Sequence, residues 1–577
     1  MMEQKNLILA IAISLAIMLG FNYLYEIPHQ QARQAAQPET TEPAKGSAPA
    51  PAAPAPAATA PASAPAAGAA AAAGKTREQV LAASPRVRID TPRVSGSISL
   101  IGARVDDITL STYHEDVDPS SPAVVLFKPP GLEDSYFGEI GWIADGTGVA
   151  LPGPDTRWQA DRDTLTPDQP VTLSWDNGQG LRFIRQYTID QNYMITVAQH
   201  VENHGSTDVT LYPYALVSRT GTPKTLGYYI LFEGMLGVIQ GTLHEEKYDD
   251  LKKVGSKAED TKGGWLGITD KYWLAALIPD QGETVKTRFA HSQADGMDKY
   301  QADYLGEARE LKAGGTAEAT TRLFAGAKEV RLLQAYEQDL GIQRFDYAVD
   351  WGWFFFLTKP IFQLMDWFYR QVGNFGIAIL LLTLSVKILF FPLANRSYRM
   401  MSKMKKLQPI MTDLKEKYGD DRVKINQEMM ALYKREKVNP LSGCLPIVLQ
   451  IPVFFSLYKV LFVTIEMRHA PFYGWIHDLS APDHTNIFEL FGLFPWHAPQ
   501  MLHLGIWPLI MGVTMFLQQR LNPTPADPIQ AKVFMFMPLM FMVMLANFPA
   551  GLVIYWAWNN TLSIAQQWVI MRRAGVA

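Results

Sequence analysis

The chain has 577 residues and a formal net charge of −4 at pH 7, from 52 lysines and arginines against 56 aspartates and glutamates. This near balance excludes a strongly basic protein that binds nucleic acid by charge, so no DNA partner is expected. The single cysteine, Cys444, excludes a disulfide framework within the chain. Apolar residues are concentrated after Trp351, so the composition divides the chain into a polar part and a very apolar part.

The first segment, residues 1–28, is apolar between positions 7 and 25. This stretch is longer than a usual signal-peptide core, and large polar and aromatic residues follow it. We therefore predict a retained N-terminal transmembrane anchor rather than a cleaved signal peptide. Residues 29–85 are dominated by Ala and Pro, a composition that cannot build a core and predicts an extended periplasmic linker.

Residues 86–345 consist of short runs in which apolar and polar residues alternate, as in 182–189 and 193–198. Turn-forming sequences at 176–178 and 203–205 separate these runs. The pattern predicts a large β-sandwich domain.

The remaining sequence predicts a multi-span α-helical membrane domain. Charged residues and a proline interrupt the aromatic segment 351–371, which we interpret as an interfacial amphipathic helix. Apolar runs then predict spans at about 374–394, 443–465, 504–519, 533–548 and 550–571. With the anchor, these give six transmembrane helices with a five-helix core: transmembrane helix 2 in 372–396, a cytoplasmic helical hairpin in 397–440 and transmembrane helices 3–6 in 443–572.

The distribution of basic residues predicts the orientation. Lysines and arginines are dense between Arg396 and Lys437, and Arg572 and Arg573 follow the last span. Basic loops remain in the cytoplasm, so both termini are predicted to be cytoplasmic and the β domain periplasmic. The expected location is the bacterial inner membrane.

Lys387 is the most informative residue, because it lies inside an apolar run long enough to cross a bilayer. A charge near the middle of such a helix costs about 2.5–3.5 kcal/mol and usually faces a partner, a cavity or water. Thr383 lies one turn earlier on the same face. Other polar residues in the predicted spans are Gln450, Ser456, Lys459, Asn559, Asn560, Thr561, Gln566 and Gln567.

We interpret these residues as the lining of a hydrophilic cavity with Lys387 as its cation. Two alternatives remain open. Lys387 lies about seven residues, or roughly 10 Å, from the predicted end of its span, so its side chain could extend to the membrane surface. The amides and hydroxyls could instead form hydrogen bonds that hold the helices together. Lys459, nearer the periplasmic end of its span, is expected to extend to the surface.

The basic loop predicts a docking hairpin. Met400, Met404, Leu407, Met411, Leu414 and Tyr418 recur at coiled-coil spacing. A turn at Gly419 follows, Asp421 is predicted to cap the returning helix, and Pro409 is expected to bend or break the first one. The outer face carries Lys403, Lys405, Lys406, Lys415, Lys417 and Arg422. It could bind acidic lipid, a protein or ribosomal RNA, or be only a solvated basic loop.

Enzyme chemistry is not indicated. The sequence has no His-Glu-x-x-His, Walker or Gly-x-Ser-x-Gly motif, and the histidines of the β domain lack metal-ligand spacing. The His477-Asp478 pair is interpreted as structural. We predict no catalytic residue, no metal and no cofactor.

Several segments of the second half resemble the YidC/Oxa membrane protein insertases in their Gram-negative form. They are QEMMALYK (427–434), KVNPL (437–441), GCLP (443–446), WIHDLS (475–480), MGVTMF (511–516) and GLVIYW (551–556). The resemblance extends over essentially the whole chain, including the anchor, linker and β domain.

This resemblance implies a groove in the bilayer that is open to the cytoplasm and lipid but closed to the periplasm. Lys387 takes the place of the usual basic residue, most often arginine, so a positive charge is kept without the bidentate fork. The other implied residues of the substrate-binding groove are Thr383, Gln450, Tyr555, Trp556 and Asn560. Trp556 takes the position of a family tyrosine that contacts the substrate. The hairpin is implied to recruit substrates, the ribosome or targeting components.

The predicted function is that of an insertase and chaperone for nascent membrane proteins, alone or with the Sec translocon, with the lipid bilayer as a further partner. A hydrophobic substrate segment would move along the apolar faces of spans 443–465 and 533–548. One alternative, a secondary transporter, should show inverted repeats and carboxylates at membrane depth, and neither is found. The other, a periplasmic carbohydrate-active protein, needs carboxylates that converge in a cleft.

Overall fold

The computed structural model describes residues 64–65, 75–146, 148–225, 231–294, 296–419, 421–439, 445–492, 504–522 and 528–573. The predicted anchor, residues 1–28, lies outside the described residues. Among the described residues, 403–439 belong to one unit and 64–402 with 445–573 belong to a second, and each unit is described by itself.

Most of the polar part folds into β-strands. Their bounds are β1 Arg86–Asp90, β2 Val94–Ser99, β3 Val105–His114, β4 Ala123–Phe127, β5 Tyr136–Ala144, β6 Gln159–Ala160, β7 Thr164–Leu165, β8 Val171–Asp176, β9 Leu181–Ile189, β10 Met194–Asn203, β11 Val209–Thr220, β12 Gly234–Ile239, β13 Thr242–Glu246, β14 Ser256–Lys262, β15 Trp265–Thr269, β16 Trp273–Ile278, β17 Thr284–Ala294, β18 Met297–Leu305, β19 Arg309–Leu311 and β20 Thr316–Ala327.

The strands form two sheets. An 11-stranded sheet has the order β14-β17-β18-β11-β5-β3-β2-β1-β7, with β19 beside β11 and β4 beside β3. A 9-stranded sheet has the order β13-β12-β15-β16-β20-β10-β9-β8-β6. Neighbouring strands are antiparallel except for the parallel pair β1 and β7.

The two sheets pack face to face, as the alternating sequence pattern predicts. In β9 every second residue is buried, including Phe183 and Tyr187, because successive side chains point to opposite faces of a strand. The Tyr136 hydroxyl donates to the Ile268 carbonyl across the sandwich at 3.2 Å. The predicted large β domain is therefore confirmed, with its core between the sheets.

Helices dominate the rest of the chain. Their bounds are α1 Arg77–Ala82, α2 Tyr248–Val254, α3 Val330–Asp339, α4 Phe355–Val372, α5 Phe375–Leu389, α6 Phe391–Tyr418, α7 Arg422–Arg435, α8 Leu445–Val463, α9 Ile506–Leu521, α10 Pro528–Met544 and α11 Ala550–Arg573. Short 3₁₀ turns lie at Phe345–Ala348, Ile465–Met467, Ile487–Gly492 and Leu545–Asn547.

Helix α4 is buried on one side and exposed on the other. Ile361, Phe362 and Met365 are buried, whereas Phe356 and Trp367 are exposed. This one-sided burial agrees with the amphipathic pattern of the predicted interfacial helix.

Helix α5 is shorter than its apolar run because the chain bends by 69° between α5 and α6. The bend lies at Phe390, two residues before Pro392. Proline has no amide hydrogen, so Pro392 cannot donate to the carbonyl four residues earlier and cannot continue α5. The expectation that Lys387 lies about two turns inside its helix is therefore wrong. Lys387 lies in the last turn of α5.

Within the described ranges, no single helix is both long and apolar enough to cross a membrane. The bent pair Phe375–Leu389 and Phe391–Tyr418 satisfies the length and composition criteria together, and Gln450–Val463 and Ala531–Asn547 are shorter apolar helices. The six-span arrangement stays a prediction.

The β domain contacts the segment that follows α8 through charged groups. A carboxylate oxygen of Glu466 accepts a hydrogen bond from the backbone N–H of Val330, at the start of α3, at 2.8 Å. Arg468 donates to the carbonyls of His114 and Glu115 at 2.5 and 3.0 Å. Burial is the main reason that the pKa of Glu466 is raised to about 7, and the charges of Glu329 and Asp366 contribute to the same increase.

An ion pair connects α8 to the segment before α4. Lys459 Nζ lies 2.6 Å from a carboxylate oxygen of Asp350, and both side chains are largely buried. The same Asp350 carboxylate accepts the backbone N–H of Phe232 at 2.8 Å. The expectation that Lys459 extends to the membrane surface stays a prediction, and the structure adds that its ammonium group is held by the Asp350 carboxylate.

In the segment of the predicted hairpin, α6 ends at Tyr418 and α7 begins at Arg422. Leu407, Met411 and Leu432 are buried, and the Tyr433 hydroxyl of α7 lies 3.7 Å from Met411 Sδ of α6. Asp421 caps α7 by accepting the N–H of Lys424 at 3.1 Å, as predicted. Helix α6 continues through Pro409 without the break considered from the sequence.

Candidate functional site

The candidate site lies between α5 and α11. In the last turn of α5, Lys387 Nζ donates a hydrogen bond to Ser563 Oγ of α11 at 2.7 Å. Ser563 Oγ in turn donates to the backbone carbonyl of Asn559 at 2.8 Å. A cation in the last helical turn is also stabilised by the partial negative charge of the helix C-terminus. Lys387 is therefore held by its own helix end and by a hydroxyl on α11.

Helix α11 presents a polar face to the interior. Asn559, Ser563 and Gln567 are separated by four residues each and are all buried, so they line one side of the helix. Asn560 is also buried and donates to Thr514 Oγ1 of α9 at 3.4 Å, and Gln567 donates to Asn522 at 3.0 Å. The sequence interpretation did not select Ser563. Its spacing from Asn559 and Gln567 was the signal that could have identified it.

Thr383 is buried one turn before Lys387, but its hydroxyl donates to the backbone carbonyl of Ile379 at 2.7 Å. The hydroxyl hydrogen of Thr383 is therefore already bonded to the backbone of α5. The Trp558 indole N–H donates to the Leu380 carbonyl at 3.3 Å and links α11 to the same part of α5.

The remaining predicted groove residues connect α11 to other helices. The Gln450 side-chain amide of α8 donates to the hydroxyl of Tyr555, which is buried. The neighbouring Trp556 packs against Phe454 and Phe541, with ring centroids 4.6 and 5.8 Å apart. Thus Gln450 contacts Tyr555 directly, whereas Lys387 contacts Ser563 and Asn560 contacts Thr514.

Several buried polar atoms in this region have no hydrogen-bond partner among the described residues. They are Ser456 Oγ of α8 and, on α11, Asn559 Oδ1, Gln566 Nε2 and Gln567 Oε1. A buried polar atom without a partner costs about 1–3 kcal/mol. The interior around α11 is therefore suited to additional polar groups.

The predicted docking residues on the hairpin are at least partly accessible where they are described. Lys403, Lys406 and Lys417 are exposed, and Lys405 and Lys415 are half-buried. Arg422 begins α7, and its side chain lies outside the described part. Asp478, which belongs to the predicted structural His-Asp pair, accepts backbone N–H groups of His469 and Ser480 at 3.2 and 2.7 Å and so fixes a turn.

The chain matches known protein families along most of its length. A family model described as the YidC periplasmic domain matches residues 86–364, and a model described as 60Kd inner membrane protein matches residues 367–575. The membrane protein insertase YidC of Methylobacterium radiotolerans is 53% identical over 591 residues, which cover 100% of this chain and 96% of that protein. The protein of the same name from Bradyrhizobium diazoefficiens is 52% identical over 602 residues, with 100% and 97% covered.

Proposed function

Because the chain belongs to the YidC family of membrane protein insertases, we propose that it inserts integral membrane proteins into the bacterial inner membrane and helps them to fold. We further propose that the polar flank of a substrate passes through a groove lined by Lys387, Thr383, Gln450, Tyr555, Trp556 and Asn560. Ser563 is added to this set because it holds Lys387.

The buried polar atoms without partners carry the groove proposal. These buried atoms of α8 and α11 make no hydrogen bond with the part of the chain that the structure describes. Transfer of an unpaired amide or hydroxyl into an apolar medium costs about 2–7 kcal/mol. A substrate with polar groups of its own would satisfy such atoms during its passage, and the groove would lower the cost of moving that substrate through lipid.

Exposed apolar side chains on two helices support a path for the hydrophobic part of a substrate. Helix α8 exposes Ile451 and Phe455, and α10 exposes a larger set: Val533, Phe534, Met535, Phe536, Leu539, Met540, Val543 and Met544. These are the helices for which the sequence predicts a sliding face. A nascent transmembrane segment would gain apolar contact there while its polar flank remains in the groove.

The proposed arrangement in the membrane has six transmembrane helices, with both termini in the cytoplasm and the β domain in the periplasm. The hairpin would then face the ribosome and targeting components, with the Sec translocon as a partner in the membrane. The exposed lysines on α6 support this orientation, since basic loops remain on the cytoplasmic side. The role is that of a non-enzymatic insertase.

Reconstitution in liposomes tests the charge in the groove. Insertion of a small substrate with an acidic tail is compared for wild type, Lys387→Arg and Lys387→Ala, with Lys286→Ala on the exposed face of β17 as control. We expect Lys387→Arg and the control to insert normally. Lys387→Ala should be about tenfold slower, which corresponds to about 1.4 kcal/mol. Normal insertion of acidic-tailed substrates by Lys387→Ala would refute the role of the charge.

Deletion of residues 90–320 separates the insertase from a periplasmic carbohydrate-active protein. An insertase whose groove lies between α5, α8 and α11 should keep most of its activity without these residues. An activity located in the β domain would be lost completely.

A further inference from the structure

The outer face of the 11-stranded sheet carries an apolar cluster that the sandwich core does not use. Phe137, Tyr214, Leu216 and Leu305, from β5, β11 and β18, are all buried although they point away from the second sheet. Ile143 and Tyr212 border them. The outer face of a sandwich is normally polar and solvated, so a buried apolar cluster there indicates a covering segment.

Part of the Ala/Pro-rich linker covers this cluster. Ala64 is only 3% exposed and packs against it, although it lies 22 positions before the first strand, at Arg86. The linker is therefore not free along its whole length. An Ala/Pro-rich chain favours the extended polyproline II conformation, which has no internal hydrogen bonds and leaves its carbonyls available.

Two side chains of the sheet bind those carbonyls. Arg288 Nη2 donates to the carbonyl of Ala64 at 2.8 Å, and Gln301 Nε2 donates to the carbonyl of Pro65 at 2.9 Å. Asp303 accepts from Arg288 Nε at 3.0 Å and from Gln301 Nε2 at 2.8 Å. Asp303 is almost fully buried, and its two hydrogen bonds orient both donors toward the linker carbonyls.

The ring of Tyr214, one of the two buried aromatic residues of the cluster, lies against the sheet. A Cβ at Gly141 would lie 2.7 Å from Cε1 of Tyr214, so glycine at this position lets the tyrosine ring rest on the sheet. The Tyr214 hydroxyl donates to Glu139 at 2.8 Å, which fixes the ring from its other end. Flat aromatic side chains beside side-chain N–H donors are the elements by which grooves recognise proline-rich segments.

We propose that this face of the β domain is a docking site for polyproline II segments and that its occupant is the chain's own linker at Ala64 and Pro65. The site accepts carbonyl oxygens and small apolar side chains and needs no amide hydrogen from the ligand, which suits proline. Docking shortens the part of the linker that separates the β domain from the predicted anchor. The Ala-Pro dipeptide also occurs at 48–49, 50–51, 53–54, 55–56 and 60–61, so a peptide of this composition should compete for the site.

Cysteine reactivity in the full chain tests the docking. In a Cys444→Ser background, the reaction of Ala64→Cys with a bulky maleimide is measured with and without Gln301→Leu. We expect at least tenfold faster labelling with Gln301→Leu. The same increase is expected without Gln301→Leu when an excess of a synthetic peptide of residues 58–70 is added. Gln293→Leu, which alters an exposed glutamine on neighbouring β17, is the matched control and should leave the rate unchanged.

The proposal is wrong if the cysteine introduced at position 64 reacts as fast in the folded chain as in urea and if a cross-linking experiment also finds no contact between the linker and the cluster. For that measurement a photoreactive benzoylphenylalanine replaces Tyr212, at the border of the cluster, so that the linker itself is unaltered. Mass spectrometry should then find cross-links to residues 58–70 of the same chain. Cross-links only to another copy, shown by mixing two differently tagged chains, or only to lipid or a substrate, would overturn the assignment of the occupant.

Discussion

Lys387 and Ser563 are joined by a 2.7 Å hydrogen bond in which the lysine ammonium donates and the serine hydroxyl accepts. The serine hydrogen is directed to the Asn559 carbonyl, so the hydroxyl has a lone pair available for the lysine. An ammonium group has three donors, and this contact needs one of them. The serine therefore orients the charge without neutralising it.

Ser563→Ala should leave Lys387 less well oriented. We expect insertion of acidic-tailed substrates in liposomes to fall about threefold to tenfold, which corresponds to about 0.7–1.4 kcal/mol, the scale of one ordinary hydrogen bond. Ser563→Thr keeps the hydroxyl and should restore the rate. Equal loss in the alanine and threonine variants would show that packing, rather than the hydroxyl, matters.

The pair formed by Gln450 and Tyr555 should be measurable as a coupling energy. Tyr555→Phe removes the acceptor of the Gln450 amide, and we expect a loss of about 1 kcal/mol in the free energy of unfolding. The double variant Gln450→Leu with Tyr555→Phe should lose less free energy of unfolding than the sum of the losses of the two single variants. The reason is that the double variant leaves no donor unpaired. Tyr473→Phe, at an exposed position, is the control. Strict additivity would mean that the two side chains do not interact.

The buried carboxyl of Glu466 should make stability depend on pH. Its pKa is raised from 4.5 to about 7, so between these values the folded chain holds a proton that the unfolded chain has released. The contribution of Glu466 to the free energy of unfolding therefore falls as the pH rises from about 4.5 to about 7. Glu466→Gln keeps an acceptor for the Val330 N–H but does not titrate.

Thermal unfolding at pH 5 and pH 8 measures this effect. The unfolding temperature of Glu466→Gln should be similar to that of wild type at pH 5 and higher than that of wild type at pH 8. The exposed carboxylate of Glu310 provides a control, since Glu310→Gln should change neither value. A Glu466→Gln variant with the same pH dependence as wild type would rule out this residue as the titrating group.

Breaking the ion pair between Lys459 and Asp350 should destabilise the chain strongly. Lys459→Met leaves the Asp350 carboxylate largely buried without its cation, a change that costs about 3–5 kcal/mol for a buried pair. Combining it with Asp350→Asn should recover part of the loss, because no unpaired charge remains. Denaturant unfolding of the single and double variants tests this. If the double variant is no more stable than Lys459→Met, the pair does not account for the loss.

Sequence patterns predicted the elements that depend on local periodicity. Alternation in 182–189 indicated strand β9, and the stripe that includes Leu407 and Met411 indicated positions of α6 that are buried. The cap at Asp421 was also predictable, because a helix start needs only a nearby acceptor. These features depend on neighbours within a few residues.

The contacts that position the site were not predictable in the same way. Pro392 was visible in the sequence, but only the structure places the bend at Phe390 and so puts Lys387 in the last turn of α5. The partner of Lys387 lies 176 positions away, and the partner of Lys459 was not suggested by any spacing. Such pairs depend on how helices pack, and the polarity of each residue alone does not specify its partner.

Helix α8 carries Gln450 near one end and Lys459 near the other, and the two residues are about 14 Å apart along the helix axis at 1.5 Å per residue. A pull on the ion pair at Asp350 would therefore be transmitted along α8 to the Gln450–Tyr555 hydrogen bond. Pro452 lies between them and lacks an amide hydrogen, so the helix is softest there. We therefore expect the turn of α8 at Pro452 to set how much of a displacement at Asp350 reaches the hydrogen bond between Gln450 and Tyr555.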